Sequence, residues 1–362
     1  MSFFDKCKIE FLPETLSMKV ISDEDYFSSE YKQYISNTKL KLINPDEGGT
    51  PKLYQEGLKF DYNPSIEFGS IIHQLLLQPE EYILKDYDFK PSAKLGLFVD
   101  YVIQFRKEGL SIYDSMYKAS EKANYYKGKL TPRIIQKAIE SGLQYYLDSY
   151  KTDLFKPVDG KIPIVTSKKV KDSCLKCLDS LKETKEFDQY LYEQNISDSK
   201  IFKNEEALFI DIKITLPDGK SIILPFKCKL DNYTIDPDTK EIILNDLKTT
   251  SKLVNSFMGY FIEEDGEDKF INGSFQKFHY YRQLAVYMLI LQLYTKQLGY
   301  KGYTYKTNIL AIESQPLYNS KVYSVNQSYI KEGLKEFKEL MCRVAYHTIY
   351  GFDVELNLKD YE

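Results

Sequence analysis

The sequence predicts an α/β fold in which a mixed β-sheet is flanked by helices and a helical region is inserted at about residues 83–200. Three observations support this prediction. Strand-like segments are concentrated between residues 207 and 248, segments with helical apolar spacing lie on both sides of them, and a further strand pattern and helix follow near the C-terminus. Helices on both sides of a block of strands are typical of a layered fold with a shared core.

The chain length allows about two domains, or one core with long insertions. We predict the second arrangement. Residues 1–64 form an N-terminal lead-in, which is polar and turn-rich as far as the loop signal at 44–49. Residues 65–299 form the core with its helical insertion, and residues 300–362 complete this core with a strand and a helix.

The helices of the first half are indicated by amphipathic spacing and by their end signals. Residues 68–77 form a mostly buried helix that is stopped by Pro79. The segment 92–150 is predicted to be helical on either side of Thr131-Pro132, where threonine caps a helix and proline fits its first turn. Residues 166–192 form a charged amphipathic helix with Lys on its outer face.

The strands lie in the second half. Short turns at 217–220 and 236–239 separate three strand patterns, so we expect an antiparallel meander. The strands are predicted at 207–214, within 221–235 and at 241–248. A glycine-containing loop follows, and after it come a helix at 276–298 that ends at Gly299, a strand at 307–312 and a helix at 328–349.

Composition and charge exclude several classes of protein. With 43% hydrophobic and 28% charged residues, the chain has the balance of a soluble globular protein. Its net charge of −4 argues against a protein that coats nucleic acid, although an enzyme that binds a few phosphates needs only a local basic patch. No export signal and no window of about 18 apolar residues is found, so we expect no membrane contact.

The cysteine pattern indicates a reducing compartment. The five cysteines are an odd, scattered set, which fits a cytoplasmic protein, in the host cytoplasm if the gene is carried by a phage. Cys174 and Cys177 resemble half of a metal site, but no second pair of ligands follows at a suitable spacing. We therefore interpret this pair as one face of a helix.

The sharpest chemical signal is Asp231 followed, after one hairpin, by Asp246 and Lys248. Side chains on a strand alternate between its faces, so Asp246 and Lys248 point the same way. The register of the hairpin puts Asp231 opposite roughly Leu244 or Asn245. The two carboxylates can therefore converge on one metal ion.

This arrangement suits phosphodiester hydrolysis. The reaction needs a metal that polarises the phosphate and generates hydroxide, and Mg²⁺ is commonly held by one or two carboxylates. A nearby lysine can orient the attacking water or stabilise developing charge. Alternatively, Asp246 and Lys248 form a surface ion pair, since D-x-K tripeptides are common and Asp211-Ile212-Lys213 is another. The hairpin partner and Thr249-Thr250 favour the functional interpretation.

The predicted helix at 276–298 carries a second set of candidates. Gln283 and Tyr287 are four residues apart and therefore lie on one helix face. Arg282 could contact a phosphate. Because the neighbouring stripe is apolar, Tyr287 is also compatible with a core position.

Two further candidates lie upstream of the hairpin. His73 is in an otherwise apolar helix, where it is either a hydrogen-bonded core histidine or a ligand for a metal or phosphate. Glu205-Glu206 enters the first strand of the meander. Such a pair is usually solvated, but it could supply a third carboxylate to the metal.

These motifs occur in a recognisable order: G-x-x-x-H at Gly69–His73, an acidic strand start, D…D-x-K-T-T at 231–250, and Q-x-x-x-Y at 283–287. The order resembles the RecB-like branch of the PD-(D/E)xK nucleases, and most of all the phage RecE (exonuclease VIII) type. The likeness spans about residues 20–290. It implies a restriction-endonuclease-like core.

The resemblance also implies roles for the site residues. Asp231 and Asp246 would bind Mg²⁺ or Mn²⁺ with help from the carbonyl of Leu247, and Lys248 would serve the attacking water. His73 and Glu206 (or Glu205) would complete the metal and phosphate environment. Gln283 and Tyr287 would position the DNA strand or Lys248. Arg282, Thr249 and Thr250 would contact DNA.

By the same resemblance we expect an exonuclease that degrades linear double-stranded DNA from its ends in phage-type recombination. A single-strand annealing protein and a homo-oligomeric ring are the partners that it implies. No iron–sulfur cluster is expected, because that branch has three cysteines after its core and this chain has only Cys342. The alternatives are a DNA-binding recombination accessory protein without activity and an endonuclease of the same superfamily.

Overall fold

The computed structural model describes residues 2–57, 64–91, 93–126, 128, 130–151, 154–191, 199–253, 256–264 and 266–356. These described residues form ten strands: β1 Lys8–Lys19, β2 Tyr82–Asp86, β3 Ile162–Thr166, β4 Ile201–Thr215, β5 Ser221–Asp236, β6 Glu241–Thr250, β7 Tyr260–Glu264, β8 Glu267–Ile271, β9 Thr304–Glu313 and β10 Ser320–Ser324.

The α-helices of these described residues include short turns and long segments. They are α1 Phe3–Lys6, α2 Asp23–Tyr26, α3 Asn37–Leu40, α4 Pro51–Glu56, α5 Pro64–Leu77, α6 Ala93–Lys107, α7 Ile112–Lys122, α8 Pro132–Lys151, α9 Lys168–Lys182, α10 Lys185–Leu191, α11 Ser274–Lys277, α12 Tyr280–Gln297 and α13 Gln327–Tyr350. The far end of the predicted helix at 166–192, residue 192, lies outside the described residues. None of the described helices is long and apolar enough to cross a membrane.

The main sheet has six strands in the order β1-β4-β5-β6-β9-β10. All neighbours are antiparallel except β6 and β9, which run parallel. The sheet is therefore mixed, as predicted, and the antiparallel meander is β4-β5-β6. The tight turns after β4 and β5 keep these strands adjacent.

Helices cover both faces of this sheet. On one face, α12 and α13 pack against the strands in the largest apolar cluster. On the other face, α5 and α9 pack against β6 and β9. Cys174 and Cys177 are buried in this second cluster, so the interpretation of the pair as one helix face is confirmed. The flanking helices of the predicted α/β fold are confirmed.

The insertion is mainly helical, as predicted, with α6, α7 and α8 around an apolar cluster of its own. It also contains strands that the sequence did not indicate: β2 and β3 form a small parallel sheet. Both strands are five residues long, β2 is half-buried throughout and β3 is mostly buried, so they lack the clear alternation of a two-faced strand.

Two other features differ from the predictions. The N-terminal lead-in contributes β1, the edge strand of the main sheet. Its side chains are largely exposed and do not alternate regularly between two faces, so the sequence did not indicate a strand here. The helix expected at 276–298 is interrupted at His279, which has a left-handed backbone (φ 51°). Its ring nitrogen Nδ1 is hydrogen-bonded to Glu336 and to the hydroxyl of Tyr281, and these contacts offset the cost of that conformation.

A row of side-chain amides crosses the main sheet. Each amide NH₂ donates to the oxygen of the next residue in one direction, and the last one donates to the carbonyl of Leu77 at the end of α5. The row consists of Asn308, Asn245, Asn232 and Asn204, with the hydroxyl of Ser324 donating to the first. Because every group is paired, the row fixes the relative positions of five strands and α5.

Candidate active site

The central hairpin of the sheet opens at its far end. Strands β5 and β6 pair from Asp236↔Glu241 to Asn232↔Asn245. Beyond this point β5 stays with β4 and β6 stays with β9. Asp231 and Asp246 are the first residues past the last pair, where the strands part, so both carboxylates lie at the opening. The sequence predicted Asp231 opposite Leu244 or Asn245. The observed register places Asp231 level with Asp246, one or two residues further along β6.

Asp231 is held against the opposite strand. Its Oδ2 accepts a hydrogen bond of 2.7 Å from the backbone N–H of Leu247. The same oxygen lies 3.9 Å from Nδ1 of His73. Burial raises the pKa of the Asp231 carboxyl, while the Lys248 ammonium acts against this shift. A carboxylate in this environment gains strongly from a neighbouring cation.

Asp246 is the most deeply buried acid of the site. Its Oδ1 accepts a hydrogen bond of 3.0 Å from the side-chain amide of Gln283 on α12. Its Oδ2 lies 2.5 Å from Nζ of Lys248, and it has no other polar partner among the described residues. Burial raises the pKa of Asp246 to about 6, against the effect of the Lys248 charge. An oxygen whose only partner is an ammonium group remains open to a metal ion.

Lys248 is a buried cation. Its side chain is 15% exposed and that of Asp246 is 2% exposed, so the alternative of a surface ion pair is excluded. Burial opposes the charge on Lys248, but the carboxylates of Asp246 and Asp231 outweigh this effect and raise its pKa. Its Nζ also lies 5.2 Å from the ring centre of Tyr280. The lysine is therefore charged at neutral pH.

A group of possible metal ligands lies beside this pair. His73, Glu205 and Asp231 each offer one atom, and these atoms lie within 4.8 Å of one another. Burial, together with the Lys248 charge, lowers the pKa of His73 to about 4. Its imidazole is therefore neutral at pH 7 and keeps a lone pair for a metal.

The structure corrects the assignment of Glu206 to the metal. Its carboxylate is buried and accepts a 2.6 Å hydrogen bond from the hydroxyl of Tyr233. Glu205 reaches the cleft instead, because the register of β4 and β5 is the same at Asn204↔Asn232 and at Glu206↔Leu230 and so places Glu205 across from Asp231. Its backbone is left-handed at this point (φ 56°). Burial and the nearby Asp231 carboxylate raise the pKa of Glu205 to about 7, against the effect of Lys229.

Arg282 is also corrected. The expectation that it contacts a phosphate is wrong, because the side chain is only 1% exposed and lies away from the cleft. Its guanidinium donates to Glu336 and pairs with Glu47, and Nε donates to Asn37. Glu47, Glu336 and His279 could in principle hold a metal, but the guanidinium already occupies this cluster.

Tyr287 is buried one turn after Gln283 and is not among the residues that line the cleft. A direct contact with a DNA strand, one of the two roles expected for it, does not fit this position. Burial raises its pKa well above the usual value, so its hydroxyl stays protonated. The residue supports the packing of α12 beneath the site.

The site opens into a cleft of about 890 Å³, whose lining includes Thr249 and Thr250. Other lining residues were missed by the sequence analysis: Asp23, Phe27, Lys41, Ile66, Ser70, Phe278 and Tyr280. Phe27 is 72% exposed and Phe278 is 50% exposed. Aromatic side chains interleaved with polar ones are a pattern that could have drawn attention to these positions.

The residues present fit a divalent metal ion. Two carboxylates and a neutral imidazole converge at Asp231, Glu205 and His73, and the buried oxygen of Asp246 lies next to Lys248. The carbonyl of Leu247, 3.5 Å from Nζ of Lys248, adds a backbone oxygen. Mg²⁺ and Mn²⁺ prefer oxygen ligands, and imidazole is accepted by transition metals.

A mixed sheet whose central hairpin parts around two carboxylates and a lysine is the arrangement of the PD-(D/E)xK nucleases. The family model described as "PDDEXK-like domain of unknown function (DUF3799)" matches residues 133–347, and the chain belongs to this family. The matched range includes Glu205, Asp231, Asp246 and Lys248. The prediction of a PD-(D/E)xK nuclease is thereby confirmed.

The other comparisons add little. The chain resembles the crystal structure of a protein from Eubacterium rectale described as "Putative exonuclease". The two share 14% identity over 93% of this chain and 89% of that one, with a TM-score of 0.39. A likeness at this level carries no argument about function. No curated protein matches the chain.

Proposed function

We propose that the protein is a Mg²⁺- or Mn²⁺-dependent exodeoxyribonuclease that hydrolyses phosphodiester bonds of linear double-stranded DNA. One observation carries the proposal: the parting of β5 and β6 brings Asp231 and Lys248 to the wall of one cleft, with Asp246 buried directly against Lys248. Metal-assisted hydrolysis needs carboxylates and a cation in such proximity.

Asp231, Glu205 and His73 would hold the metal ion, with Asp246 and the Leu247 carbonyl beside them. When bound, such an ion polarises a phosphate and lowers the pKa of a water molecule. The pKa shifts support these roles, since two buried carboxylates disfavour their own charge and the imidazole is neutral at pH 7. Both effects favour a cation at this place.

Lys248 would orient the attacking water and stabilise the negative charge that develops on the phosphate. Gln283 would act as a positioning residue: its amide donates to Oδ1 of Asp246 and so leaves Oδ2 directed towards Lys248. A carboxylate fixed in this way keeps the ammonium group charged and in place. Neither group has to reorganise when charge develops during the reaction.

Features of the cleft support a nucleic-acid substrate. Hydroxyl groups of Ser70, Thr249 and Thr250 and the ammonium group of Lys41 can bind backbone phosphates. Exposed Phe27 and Phe278 offer flat apolar surfaces to bases. A few such contacts suffice for one strand and are compatible with the net charge of −4.

Digestion of end-labelled linear duplex and of covalently closed circular duplex, with Mg²⁺, Mn²⁺ or EDTA, tests the proposal. We expect nucleotide release from the linear duplex only, and only with metal. Cutting of the circle indicates an endonuclease. DNA binding without any cleavage, with a steep dependence on salt, indicates an accessory protein and contradicts the proposal.

Two variants give this test a matched control. Asp246→Asn should abolish nucleotide release. Asp211→Asn changes another D-x-K tripeptide, on β4, where the backbone of Asp211 pairs with β1 away from the cleft, and it should leave the rate unchanged. Equal rates for both variants would exclude the assigned site.

Membership of the RecE-type branch and a role in phage-type recombination are part of the same proposal, as are a single-strand annealing partner and a homo-oligomer. They rest on the order of the motifs in the sequence. Light scattering of the purified protein, alone and mixed with an annealing protein, tests the two assemblies. A protein that is monomeric alone and forms no complex with the annealing protein would contradict both the homo-oligomer and the annealing partner.

A further inference from the structure

A lysine lies between two acids at the edge of the cleft. Nζ of Lys229 is 2.5 Å from Oε2 of Glu205 and 2.6 Å from Oδ1 of Asp23. Both acids line the cleft, and they come from separate elements, β4 and α2. The Lys229 side chain is 12% exposed. A charge-assisted contact with two carboxylates holds such an ammonium group firmly.

The position of Lys229 is fixed from both sides. It lies two residues before Asp231 on β5, so the two side chains point in the same direction. Helix α2, which carries Asp23, is fastened to the same strand by Lys227, whose Nζ donates to the carbonyl of Tyr26 at 2.5 Å. Asp23 is therefore held next to Lys229.

The site already contains two cationic side chains among its acids. The acids are Asp23, Glu205, Asp231 and Asp246, and the ammonium groups are those of Lys229 and Lys248. A second divalent ion would add two positive charges beside two ammonium groups that are already partly buried, and this repulsion is costly at low dielectric.

We infer that the site binds a single divalent ion and that Lys229 takes the position between Asp23 and Glu205 that a second ion would need. The ion lies on the side of His73, Glu205 and Asp231. Glu205 serves both cations, because a carboxylate has two oxygens and its Oε2 faces Lys229. The inference rests on the proposed function only in requiring that the site binds a metal.

Counting bound Mn²⁺ by electron paramagnetic resonance, in the absence of DNA, tests this inference. The wild-type protein should bind one ion. Lys229→Met removes the ammonium group and should raise the count to two, whereas Lys229→Arg keeps a positive charge and should leave it at one. In the double variant K229M/D23N the second ion loses a ligand, and the count should return to one.

A surface lysine provides the control. Lys269 pairs with Glu264 on the β7–β8 hairpin, and neither residue lines the cleft, so Lys269→Met should leave the count at one. Two ions in the wild type, or one ion in a folded K229M, would overturn the inference. Thermal unfolding shows whether K229M folds. If it does not fold, the numbers of Mn²⁺ ions bound by the wild type and by Lys229→Arg still test the inference, because either protein binding two ions would overturn it. One bound ion without DNA cleavage would contradict the proposed function alone.

Discussion

Gly69 lies so close to Thr249 that a Cβ on the glycine would be 2.6 Å from the threonine Oγ1. Helix α5 and strand β6 approach each other at this point, next to Lys248. His73 follows Gly69 by four residues and therefore lies on the same side of the helix. The absence of a side chain at position 69 sets the depth at which His73 reaches Asp231.

Gly69→Ala should weaken metal binding. The added methyl group must push α5 outward or turn Thr249, and the first movement carries His73 away from Asp231. We expect the Mn²⁺ dissociation constant to rise about tenfold, which corresponds to about 1.4 kcal/mol. Isothermal titration of the protein with MnCl₂ measures this change.

The double variant G69A/T249A is the control for the steric explanation. Removing Oγ1 makes room for the methyl group, so most of the Mn²⁺ affinity should return even though a cleft hydroxyl is lost. Wild-type affinity in Gly69→Ala would show that α5 tolerates the methyl group, and the proposed link between this contact and His73 would be wrong.

Gln283→Met should change the pH dependence of the reaction. In the metal-free protein the carboxyls of Asp246 and Glu205 have pKa values of about 6 and about 7, so protons compete with the metal and the rate at limiting Mg²⁺ should fall as the pH drops through this range. The Gln283 amide donates to the charged form of Asp246. Its loss raises the pKa of Asp246 further, and the acid limb of the rate at limiting Mg²⁺ should move up by about one pH unit.

Rates measured from pH 5 to 9 check this prediction, and the loss in Gln283→Met should be larger at pH 6 than at pH 8.5. Gln297→Met is a suitable control on the same helix, because the amide of Gln297 donates to the carbonyl of Pro13 at the other end of α12. A uniform loss at every pH in Gln283→Met would indicate a role other than holding the Asp246 carboxylate.

The sequence predicted the central hairpin and its acids because their positions depend on local rules. A turn of fixed length sets the register, and a period of two sets the facing of Asp246 and Lys248. The same rules separate the two glutamates that the resemblance offered. Glu206 pairs with Leu230 and Asn204 pairs with Asn232, so Glu205 lies across from Asp231 and is the one that reaches the cleft.

Other features depend on partners that are distant in the chain. Arg282 looks available on a helix beside Gln283, but its partner Glu336 comes from α13 and Glu47 from the N-terminal segment. Similarly, Asn245 and Asn308 form part of a row of amides only because β9 lies parallel to β6. Spacing along the sequence carries no information about such pairings.

Arg282→Met should therefore destabilise the fold rather than weaken DNA binding. The substitution leaves the carboxylates of Glu47 and Glu336 without their guanidinium partner. Breaking a buried ion pair in this way costs about 3–5 kcal/mol, and urea unfolding measures the loss.

Lys41→Met is the counterpart of this variant, because Lys41 lines the cleft. It should leave the free energy of unfolding nearly unchanged. It should also reduce the slope of the logarithm of the DNA-binding constant against the logarithm of the salt concentration by about one. Fluorescence anisotropy with labelled duplex at several salt concentrations separates the two variants. Weaker DNA binding by folded Arg282→Met would contradict the buried assignment.

Asp231→Asn should stabilise the metal-free protein while abolishing hydrolysis. Burial raises the pKa of Asp231 above its usual range, so the folded protein binds this proton more tightly than the unfolded chain does. The carboxyl contributes stability at low pH, and that contribution is lost as the pH rises through the folded-state pKa. Asn cannot ionise and keeps the contribution at every pH.

The unfolding temperature of Asp231→Asn in EDTA should therefore exceed that of the wild type at pH 8, and the difference should shrink as the pH falls towards 4. Hydrolysis with Mg²⁺ should fall on the order of a thousandfold, since several kcal/mol of metal assistance are lost. Asp211→Asn should show neither effect. If Asp231→Asn is less stable than the wild type at pH 8, the attraction between Asp231 and Lys248 stabilises the fold by more than the burial of the Asp231 charge destabilises it. The metal-free carboxylate would then already be compensated, and metal binding would add little stability.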